Sequence, residues 1–447
     1  MTSSPFQRAV VVGLGKSGRS ACELLLSRGV KVTAFDEKAG DAGLEARGVS
    51  VKVGPLPKRF WEGADVVVLS PGVPRSKSEI RDALEAQAPV IGEIELAYRL
   101  LPKGAGPLLG VTGTNGKSTT TALLGQLMRE TGKKVFTGGN LGTPFSDACA
   151  QPHDWHVVEL SSFQLESVVD ARFLGGAILN LTPDHLDRYP DHLAYGDAKA
   201  NLFRRLDPSG FAVVNADDPH VLGLGAHAKA RLFGFTTQLT GTNAGFTGVA
   251  IGEGQSCMFL FGDRPRFEVR SRALRGAHNV QNAMAAALLA SLAGVSSAAI
   301  QRGLDAFPGL PHRLESVREV NGVEWINDSK ATNVDSTLVA LHALTTPLWL
   351  IAGGKGKGAP YAPLVEAAKG RVKGVLTIGQ DAPAIAEAFR GFTVVDCQTL
   401  ERAVEEGHRR ATHGDAVLLS PACASYDQFQ HFEHRGDTFK QLVKALS

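Results

Sequence analysis

The run of residues 113–119 has the composition of a phosphate-binding loop. Its members are Gly113, Thr114, Asn115, Gly116, Lys117, Ser118 and Thr119. The run follows an apolar stretch at 108–112 and precedes a helical pattern at 120–130, which is where such loops occur. Backbone N–H groups would hold phosphate oxygens, Lys117 would neutralise the β- and γ-phosphates, and Ser118 would ligate Mg²⁺. The strict pattern has a glycine where this chain has Val111, yet packing does not explain the residues that remain.

A second glycine turn, Gly13-Leu14-Gly15-Lys16-Ser17-Gly18, follows the apolar run 9–12 and opens another helical pattern. Asp36 ends the next predicted strand, as an acidic residue does in dinucleotide-binding units. The glycines allow a diphosphate to approach the backbone at a helix N-terminus. The turn fits a nicotinamide or flavin cofactor, a sugar nucleotide, or no ligand at all, and the motif does not decide between them.

Other polar side chains lie where predicted strands end. Glu159 closes the strand predicted at 157–160, and it would ligate a metal beside the phosphate-binding loop if their two strands are neighbours. His185 follows the strand predicted at 177–180 and would be a second metal ligand or a substrate contact, although a lone histidine is more often structural. Lys199 has the local context of an ordinary helical lysine. Asn282 shares a helix face with Asn279, where the two amides would meet an adenine, although N-capping of the helix explains Asn279 equally well.

The last third of the chain has four further clusters at strand ends or in loops. They are residues 311–315, 328–333, 353–358 and 420–425. Parallel α/β sheets bind ligands at the carboxyl ends of their strands, so these clusters indicate a second set of ligand contacts. Because the phosphate-binding loop belongs to another part of the chain, we expect the reaction to take place in a cleft between domains.

The elements that position these residues alternate between apolar strands and helical patterns. We therefore predict an α/β protein of three domains: a Rossmann-like domain at 1–98, a central P-loop-type ATP-binding domain at 99–307, and a Rossmann-like domain at 308–447. Linkers rich in proline and glycine occur at 102–107 and 307–311. The 50 glycines suit a fold with many tight strand-to-helix turns.

Composition excludes several classes of function. The 447 residues carry a net charge of +2, with 47 basic and 45 acidic residues, so we expect no nucleic-acid partner. The longest apolar run, 283–295, is too short to span a bilayer, and we expect no membrane insertion. Five dispersed cysteines and a first segment without signal-peptide features favour the cytoplasm. We expect a monomer.

Taken together, the motifs resemble those of the Mur ligases of peptidoglycan precursor synthesis, in order and roughly in spacing over the whole chain. The resemblance is carried by residues 113–119, 159–166, 185–188, 328–333 and 420–425. It implies ATP-dependent joining of D-glutamate to UDP-N-acetylmuramoyl-L-alanine through an acyl phosphate, with ATP and two Mg²⁺ ions. A sister Mur ligase or a folylpolyglutamate synthase shares this ATP chemistry and is the nearest alternative.

The resemblance also assigns roles to individual residues. It implies a UDP-substrate site formed by Leu14, Lys16, Ser17, Asp36, Ser70, Gly72 and Asn140. It implies that Asn282, Arg313, Asp328 and Lys330 join the phosphate-binding loop in holding ATP. It implies a D-glutamate site formed by Thr332, Lys357, Ser425 and Phe432.

The same resemblance implies that catalysis depends on Lys117, Glu159, His185, Lys199 and Arg313. The metal ligands would be Ser118, Glu159, His185 and a carbamate formed from CO₂ on Lys199. One residue departs from the family pattern, since Lys355 stands where an acidic residue is expected in the glycine-rich loop 353–358.

Overall fold

A computed structural model of the chain describes residues 5–38, 40–182, 184–185, 188–238 and 245–447. The chain forms two compact units, one of Met1–Val269 with Val280–Asp305 and one of Arg270–Asn279 with Ala306–Ser447. Over the residues described, the first unit contains two sheets and the second contains one. The domain boundaries at 98 and 307 stay a prediction, since the compact units do not separate the first two sheets.

The first sheet has five parallel strands in the order β3-β2-β1-β4-β5, the doubly wound arrangement. Its elements are β1 (Arg8–Val12), α1 (Lys16–Ser27), β2 (Lys31–Asp36), α2 (Ala42–Ala46), β3 (Ser50–Val53), β4 (Val66–Leu69), α3 (Ser78–Glu85), β5 (Val90–Gly92) and α4 (Glu93–Leu100). All four residues of β4 are buried, as expected of a central strand with helices on both faces. The order reverses between β1 and β4, and a ligand crevice is expected there.

The second sheet has nine strands in the order β14-β13-β12-β11-β10-β9-β6-β8-β7. Its strands are β6 (Leu108–Thr112), β7 (Val135–Gly139), β8 (Trp155–Glu159), β9 (Phe173–Ile178), β10 (Leu206–Asn215), β11 (Arg231–Thr236), β12 (Gly248–Glu253), β13 (Ser256–Phe259) and β14 (Arg266–Glu268). Its helices are α5 (Lys117–Arg129), α6 (Ser162–Leu165), α7 (His192–Arg204), α8 (Pro219–Leu224), α9 (Ala277–Leu292) and α10 (Ser297–Asp305). Strand β6 pairs in parallel with both β8 and β9, so all three carboxyl ends share one edge.

The third sheet has the order β15-β16-β20-β17-β18-β19, and only the pairing of β15 with β16 is antiparallel among the described strands. Its strands are β15 (Glu315–Val320), β16 (Val323–Asn327), β17 (Leu348–Gly353), β18 (Val372–Ile378), β19 (Thr393–Gln398) and β20 (Ala416–Leu419). Its helices are α11 (Val334–Ala343), α12 (Ala362–Ala368), α13 (Ala382–Ala388), α14 (Leu400–Arg410) and α15 (Phe432–Ala445).

The apolar runs that predicted the parallel strands form buried strands. Every residue of β6, β17 and β20 is buried. Most of the apolar run at 283–295 lies in α9, where residues 283–290 are buried. The prediction of an α/β fold with parallel sheets is therefore confirmed. Within the described ranges, no helix combines the length and the apolar character needed to cross a membrane.

Candidate active site

The glycine turn after β1 forms one wall of a cavity of about 540 Å³. Gly13 has φ of +88°, and a Cβ at Gly18 would lie 1.8 Å from the Gly13 carbonyl oxygen, so both positions require glycine. Asp36 Oδ2 accepts a hydrogen bond from the Leu14 N–H at 2.7 Å. The Ser70 hydroxyl donates to the Gly13 carbonyl at 2.7 Å. These bonds fix the turn at the crevice between β1 and β4.

Most of the residues predicted for the UDP site line this cavity. Its lining includes Lys16, Ser17, Asp36, Ser70, Gly72 and Asn140. Leu14 does not line the cavity, but its backbone N–H holds Asp36 in place. Asn140 also reaches the second sheet, because its amide donates to Glu159 Oε1 at 2.7 Å. The cavity and the carboxylate at the end of β8 are thus one hydrogen bond apart.

The phosphate-binding loop joins β6 to α5. Gly116 has φ of +80°, and a Cβ there would lie 2.2 Å from Asn282 Oδ1, so only glycine fits against α9. Asn180, after β9, accepts from the Asn115 N–H at 2.7 Å and from the Thr114 N–H through its backbone carbonyl at 3.0 Å. Ser118 and Thr119 follow in the first turn of α5 and are half-buried. The backbone of this loop is therefore held by Asn180 at the N-terminus of α5, a position that favours anions.

Two lysines converge on the loop. Lys117 Nζ donates to the carbonyl oxygens of Gly113 at 3.0 Å and Thr114 at 2.7 Å. Lys199, on α7, is 1% exposed, and its Nζ donates to the same Gly113 carbonyl at 2.9 Å. Burial, and then the nearby Lys117 charge, hold the pKa of Lys199 well below its usual range. The amine therefore populates its neutral, nucleophilic form far more than an exposed lysine does.

Glu159 is the candidate metal ligand that the strand order supports. Its residue pairs with Val111 of β6, so the two strands are neighbours as the prediction required. The carboxylate is 1% exposed, and its Oε2 has no hydrogen-bond partner among the described residues. An unpaired buried carboxylate oxygen beside a phosphate-binding loop is the type of ligand that Mg²⁺ takes together with phosphate oxygens. The donor set fits Mg²⁺.

His185 lies in the loop after β9, where it has φ of +55° and a partly exposed side chain. Its ring packs on Phe163 with centroids 4.7 Å apart and lies 6.1 Å from Tyr195. Pro183, Leu186 and Asp187 of the same loop lie outside the described residues. In the described part of the chain, no three histidine, cysteine or carboxylate side chains form a group that could hold a metal, so an ion here would need oxygens from phosphate or substrate as well.

Sequence reasoning missed Tyr195. Its hydroxyl donates to Thr114 Oγ1 at 3.4 Å, and its ring lies 4.4 Å from Lys199 Nζ. It therefore contacts Lys199 and the phosphate-binding loop and also packs near His185. The available signal was its position four residues before Lys199, which places both on one helix face.

In the second unit, the loops after β16 and β20 form a separate cluster. Asp328 is fully buried and accepts from Ser420 Oγ at 2.8 Å and from the Leu314 N–H at 3.2 Å. Arg313 Nη1 lies 3.9 Å from Asp328 Oδ1. Burial raises the pKa of Asp328 to about 6, against the opposing charge of Arg313. Arg313 and Asp328 are thus brought together, and Lys330 follows in the same loop, its N–H donating to the His312 carbonyl at 3.0 Å.

Two of the four residues assigned to D-glutamate, Thr332 and Ser425, belong to these loops, whereas Lys357 follows β17 and Phe432 begins α15. Ser425 is buried, Thr332 and Phe432 are half-buried, and Lys357 is exposed on the glycine-rich loop. Lys355 does not prevent that loop from being held, since its N–H and carbonyl pair with Ala424 at 2.9 and 3.0 Å.

A second missed residue, Arg435, joins two of these loops. The side chain is 1% exposed and donates to the carbonyl oxygens of Ser329 at 2.9 Å and Cys423 at 3.2 Å. It lies three residues after Phe432 on α15, a spacing that puts both on one helix face. A lone arginine in an amphipathic helix gives no stronger signal than that.

Three family models match consecutive parts of the chain. The MurD-like N-terminal domain of Mur ligases matches residues 7–92, the Mur ligase middle domain matches 111–290, and the Mur ligase glutamate ligase domain matches 312–423. A UDP-N-acetylmuramoylalanine–D-glutamate ligase of Myxococcus xanthus is 55% identical over 98% of both chains. A ligase of the same name from Anaeromyxobacter dehalogenans is 48% identical over 98% of this chain and 97% of its own.

Solved structures agree in fold. UDP-N-acetylmuramate-alanine ligase MurC from Thermotoga maritima has a TM-score of 0.62 at 19% identity, covering 98% of this chain and 99% of its own. MurF from Acinetobacter baumannii has a TM-score of 0.60 at 20% identity, covering 97% and 90%. The fold and the sequence relatives define an ATP-dependent amide ligase. The chain belongs to the Mur ligase family.

Proposed function

We propose that this enzyme joins D-glutamate to UDP-N-acetylmuramoyl-L-alanine and converts ATP to ADP and phosphate, as a step of peptidoglycan precursor synthesis. The observation that carries the proposal is the 55% identity to a D-glutamate ligase over 98% of both chains. The match of residues 312–423 to a glutamate ligase domain supports the choice of amino acid. We place the reaction in the cytoplasm, where ATP is available, and propose a monomer.

The UDP part of the substrate occupies the cavity beside β1 in this proposal. The N-terminus of α1 and the backbone of the Gly13–Gly18 turn favour a diphosphate, and Lys16 adds a positive charge at the wall. A nicotinamide cofactor would fit the same turn, but it would leave the phosphate-binding loop without a role. Asn140 lines this cavity and donates to Glu159, so the reacting end of the substrate would extend from the cavity past Asn140 toward Glu159.

ATP phosphates bind at the loop 113–119 in this proposal, with Asn282 at the adenine. Lys117 exchanges its bonds to the Gly113 and Thr114 carbonyls for phosphate oxygens, which are stronger partners for an ammonium. Glu159 and Ser118 would hold Mg²⁺, which reduces the repulsion between the substrate carboxylate and the polyphosphate. His185 is a further candidate ligand, and a second Mg²⁺ remains part of the proposal.

Lys199 carries a carbamate in this proposal. The neutral amine attacks CO₂ and forms a C–N bond while one C=O bond of CO₂ becomes a C–O⁻ bond, and the nitrogen releases one proton, which converts a buried neutral amine into a carboxylate-like anion. The depressed pKa of Lys199 supports this step, because only the unprotonated amine reacts. Its contact with the Gly113 carbonyl places the nitrogen at the phosphate-binding loop, where two new oxygens would serve a hard metal ion.

The third-sheet residues complete the proposal. Arg313, Asp328 and Lys330 serve ATP, while Thr332, Lys357, Ser425 and Phe432 bind D-glutamate. The alanine carboxylate attacks the γ-phosphorus, ADP leaves, and an acyl phosphate forms. The amine of D-glutamate then attacks the acyl carbon, a proton leaves the nitrogen, and phosphate departs as the amide forms. Among these residues, we assign Arg313 to the developing phosphate charge.

The test is phosphate release by the purified chain with UDP-N-acetylmuramoyl-L-alanine, ATP and one acceptor at a time. We expect release to require D-glutamate, with L-glutamate, L-alanine and meso-diaminopimelate inactive. Release with a different acceptor would assign the chain to a sister ligase. A change in absorbance at 340 nm with a nicotinamide cofactor, without phosphate release, would refute the ligase assignment.

A further inference from the structure

Arg188 connects the wall of the sugar-nucleotide cavity to the loop that carries His185. Its guanidinium Nη1 donates to the Pro71 carbonyl at 2.9 Å, and Pro71 lines the cavity between Ser70 and Gly72. At the other end, the backbone N–H of Arg188 donates to the His185 carbonyl at 2.9 Å. The side chain is 14% exposed, so these contacts are largely shielded from solvent.

The same guanidinium has two further partners. Its Cζ lies 3.8 Å above the Phe163 ring, and the Phe163 ring also packs against the His185 ring. Its Nη2 lies 3.5 Å from Glu166 Oε2, while Glu166 Oε1 accepts from the Tyr189 hydroxyl. A carbonyl, a carboxylate and an aromatic face are therefore satisfied at once, which requires the planar fork of arginine.

His185 needs such support. It has φ of +55°, a conformation that costs energy for any residue with a Cβ and persists only where neighbours hold it. The N–H groups of Arg188 and Tyr189 both donate to its carbonyl, and the Phe163 ring packs against its ring. The loop and the cavity wall are thus tied through one side chain.

We infer that Arg188 is a positioning residue, which sets the His185 loop against the cavity wall formed by Pro71 so that a bound sugar nucleotide and the catalytic loop are in register. The inference rests on the proposed function, because it gives that reaction's substrate cavity a mechanical link to its catalytic loop. Arg188 acts through His185 and Pro71 rather than on the reacting atoms. Its loss should therefore reduce kcat and weaken sugar-nucleotide binding, with ATP binding unaffected.

The experiment compares wild type with Arg188→Ala, Arg188→Lys and a control, Arg204→Ala. Arg204 lies on α7 and pairs only with Asp197 among its described contacts, so its loss removes a similar charge without touching the network. For Arg188→Ala we expect kcat to fall by about tenfold or more, because small misplacements of reacting groups cost this much. The KM for UDP-N-acetylmuramoyl-L-alanine should rise and that for ATP should not.

Chemical rescue separates positioning from general destabilisation. Millimolar guanidinium should partly restore kcat of Arg188→Ala, whereas sodium chloride or ethylammonium at the same ionic strength should not. Arg188→Lys should recover only part of the activity. The inference would be overturned if kcat of Arg188→Ala fell by less than threefold, or if the KM values for all three substrates rose in parallel. It would also be overturned if a lower melting temperature of the variant accounted for its loss of activity.

Two provisions keep the test decisive. If Arg188→Ala does not fold, Tyr189→Phe removes one bond to Glu166 and should lower kcat measurably with the same KM pattern, and an unchanged kcat would overturn the inference. If wild type releases phosphate only with another acceptor, the proposed function fails, and the Arg188 comparison is made with that acceptor.

Discussion

Glu93 and Glu95 lie two residues apart at the start of α4, and both are buried, yet they sit in opposite electrostatic environments. Glu93 Oε1 accepts from the Ser146 N–H at 2.5 Å, and its Oε2 has no partner among the described residues. Burial raises the pKa of Glu93 to about 7. Burial also acts on Glu95, but the backbone N–H groups of Val169 and Ala171 and the Arg99 guanidinium hold its pKa below the usual range.

These directions give opposite predictions for two neighbouring substitutions. A rise in the pKa of Glu93 from 4.5 to about 7 means that the folded protein pays about 3 kcal/mol to hold the ionised carboxylate at pH 8. Below pH 4.5 the group is protonated in both folded and unfolded states, so that cost disappears. Glu93→Gln keeps the acceptor for Ser146 and carries no charge. Relative to wild type it should gain about 3 kcal/mol between pH 4 and pH 8.

Glu95→Gln is the matched control. The folded pKa of Glu95 is depressed, so its contribution to stability is present above the ordinary pKa and is lost as the pH falls through the folded value. Replacing it should therefore destabilise the protein at pH 8 and matter less in acid. The assay is urea unfolding of wild type and both variants at several pH values between 4 and 8. Glu93→Gln and Glu95→Gln shifting stability in the same direction at pH 8 would refute the reasoning.

Three further predictions concern the proposed site. Gly116 and Gly132 have φ of +80° and +76°, but of these two only a Cβ at Gly116 would meet Asn282, at 2.2 Å. Gly116→Ala should therefore raise the KM for ATP by about tenfold or more in steady-state assays, whereas the control Gly132→Ala should not. Equal effects of the two substitutions would contradict the contact. Lys199→Ala should be nearly inactive and be partly rescued by acetate, whereas rescue by ethylamine and not acetate at fixed ionic strength would disprove the carbamate. Lys357→Ala should raise the KM for D-glutamate by about ten- to a hundredfold, as expected for loss of a charge-assisted bond, and change the KM for ATP much less; equal changes would contradict a specific contact with D-glutamate.

The parallel strands were predictable because both of their faces are covered, which leaves an unbroken apolar run. The apolar stretch at 108–112 is β6, and the strand predicted at 157–160 corresponds to β8 at Trp155–Glu159. The strand predicted at 177–180 was wrong in its bounds, since β9 covers Phe173–Ile178. The start of β9 was missed because it contains Gly175, and glycine is uncommon in strands. A Cβ at Gly175 would lie 2.0 Å from the Phe211 ring, so tertiary packing, not strand preference, selects glycine there.

The candidate site divides in the same way. Some site features are local, such as glycines in a strand-to-helix turn, a lysine at a helix start and a carboxylate at a strand end. The loop 113–119 and Glu159 have these features, so the sequence alone predicts them. Tyr195 and Arg435 gave no such signal, because their contacts join segments far apart in the chain. Lys199 is the intermediate case: the resemblance singled it out, while the physical reason for its chemistry, burial against the Gly113 carbonyl, exists only in the folded protein.

The most direct test of the proposed chemistry follows one oxygen atom. UDP-N-acetylmuramoyl-L-alanine labelled with ¹⁸O in the alanine carboxylate is incubated with the enzyme, ATP and D-glutamate, and the released phosphate is analysed by mass spectrometry. Attack of that carboxylate on the γ-phosphorus followed by displacement by the amine transfers one ¹⁸O atom into each phosphate. Phosphate that carries the label confirms the acyl phosphate, and unlabelled phosphate released together with the amide product would contradict it.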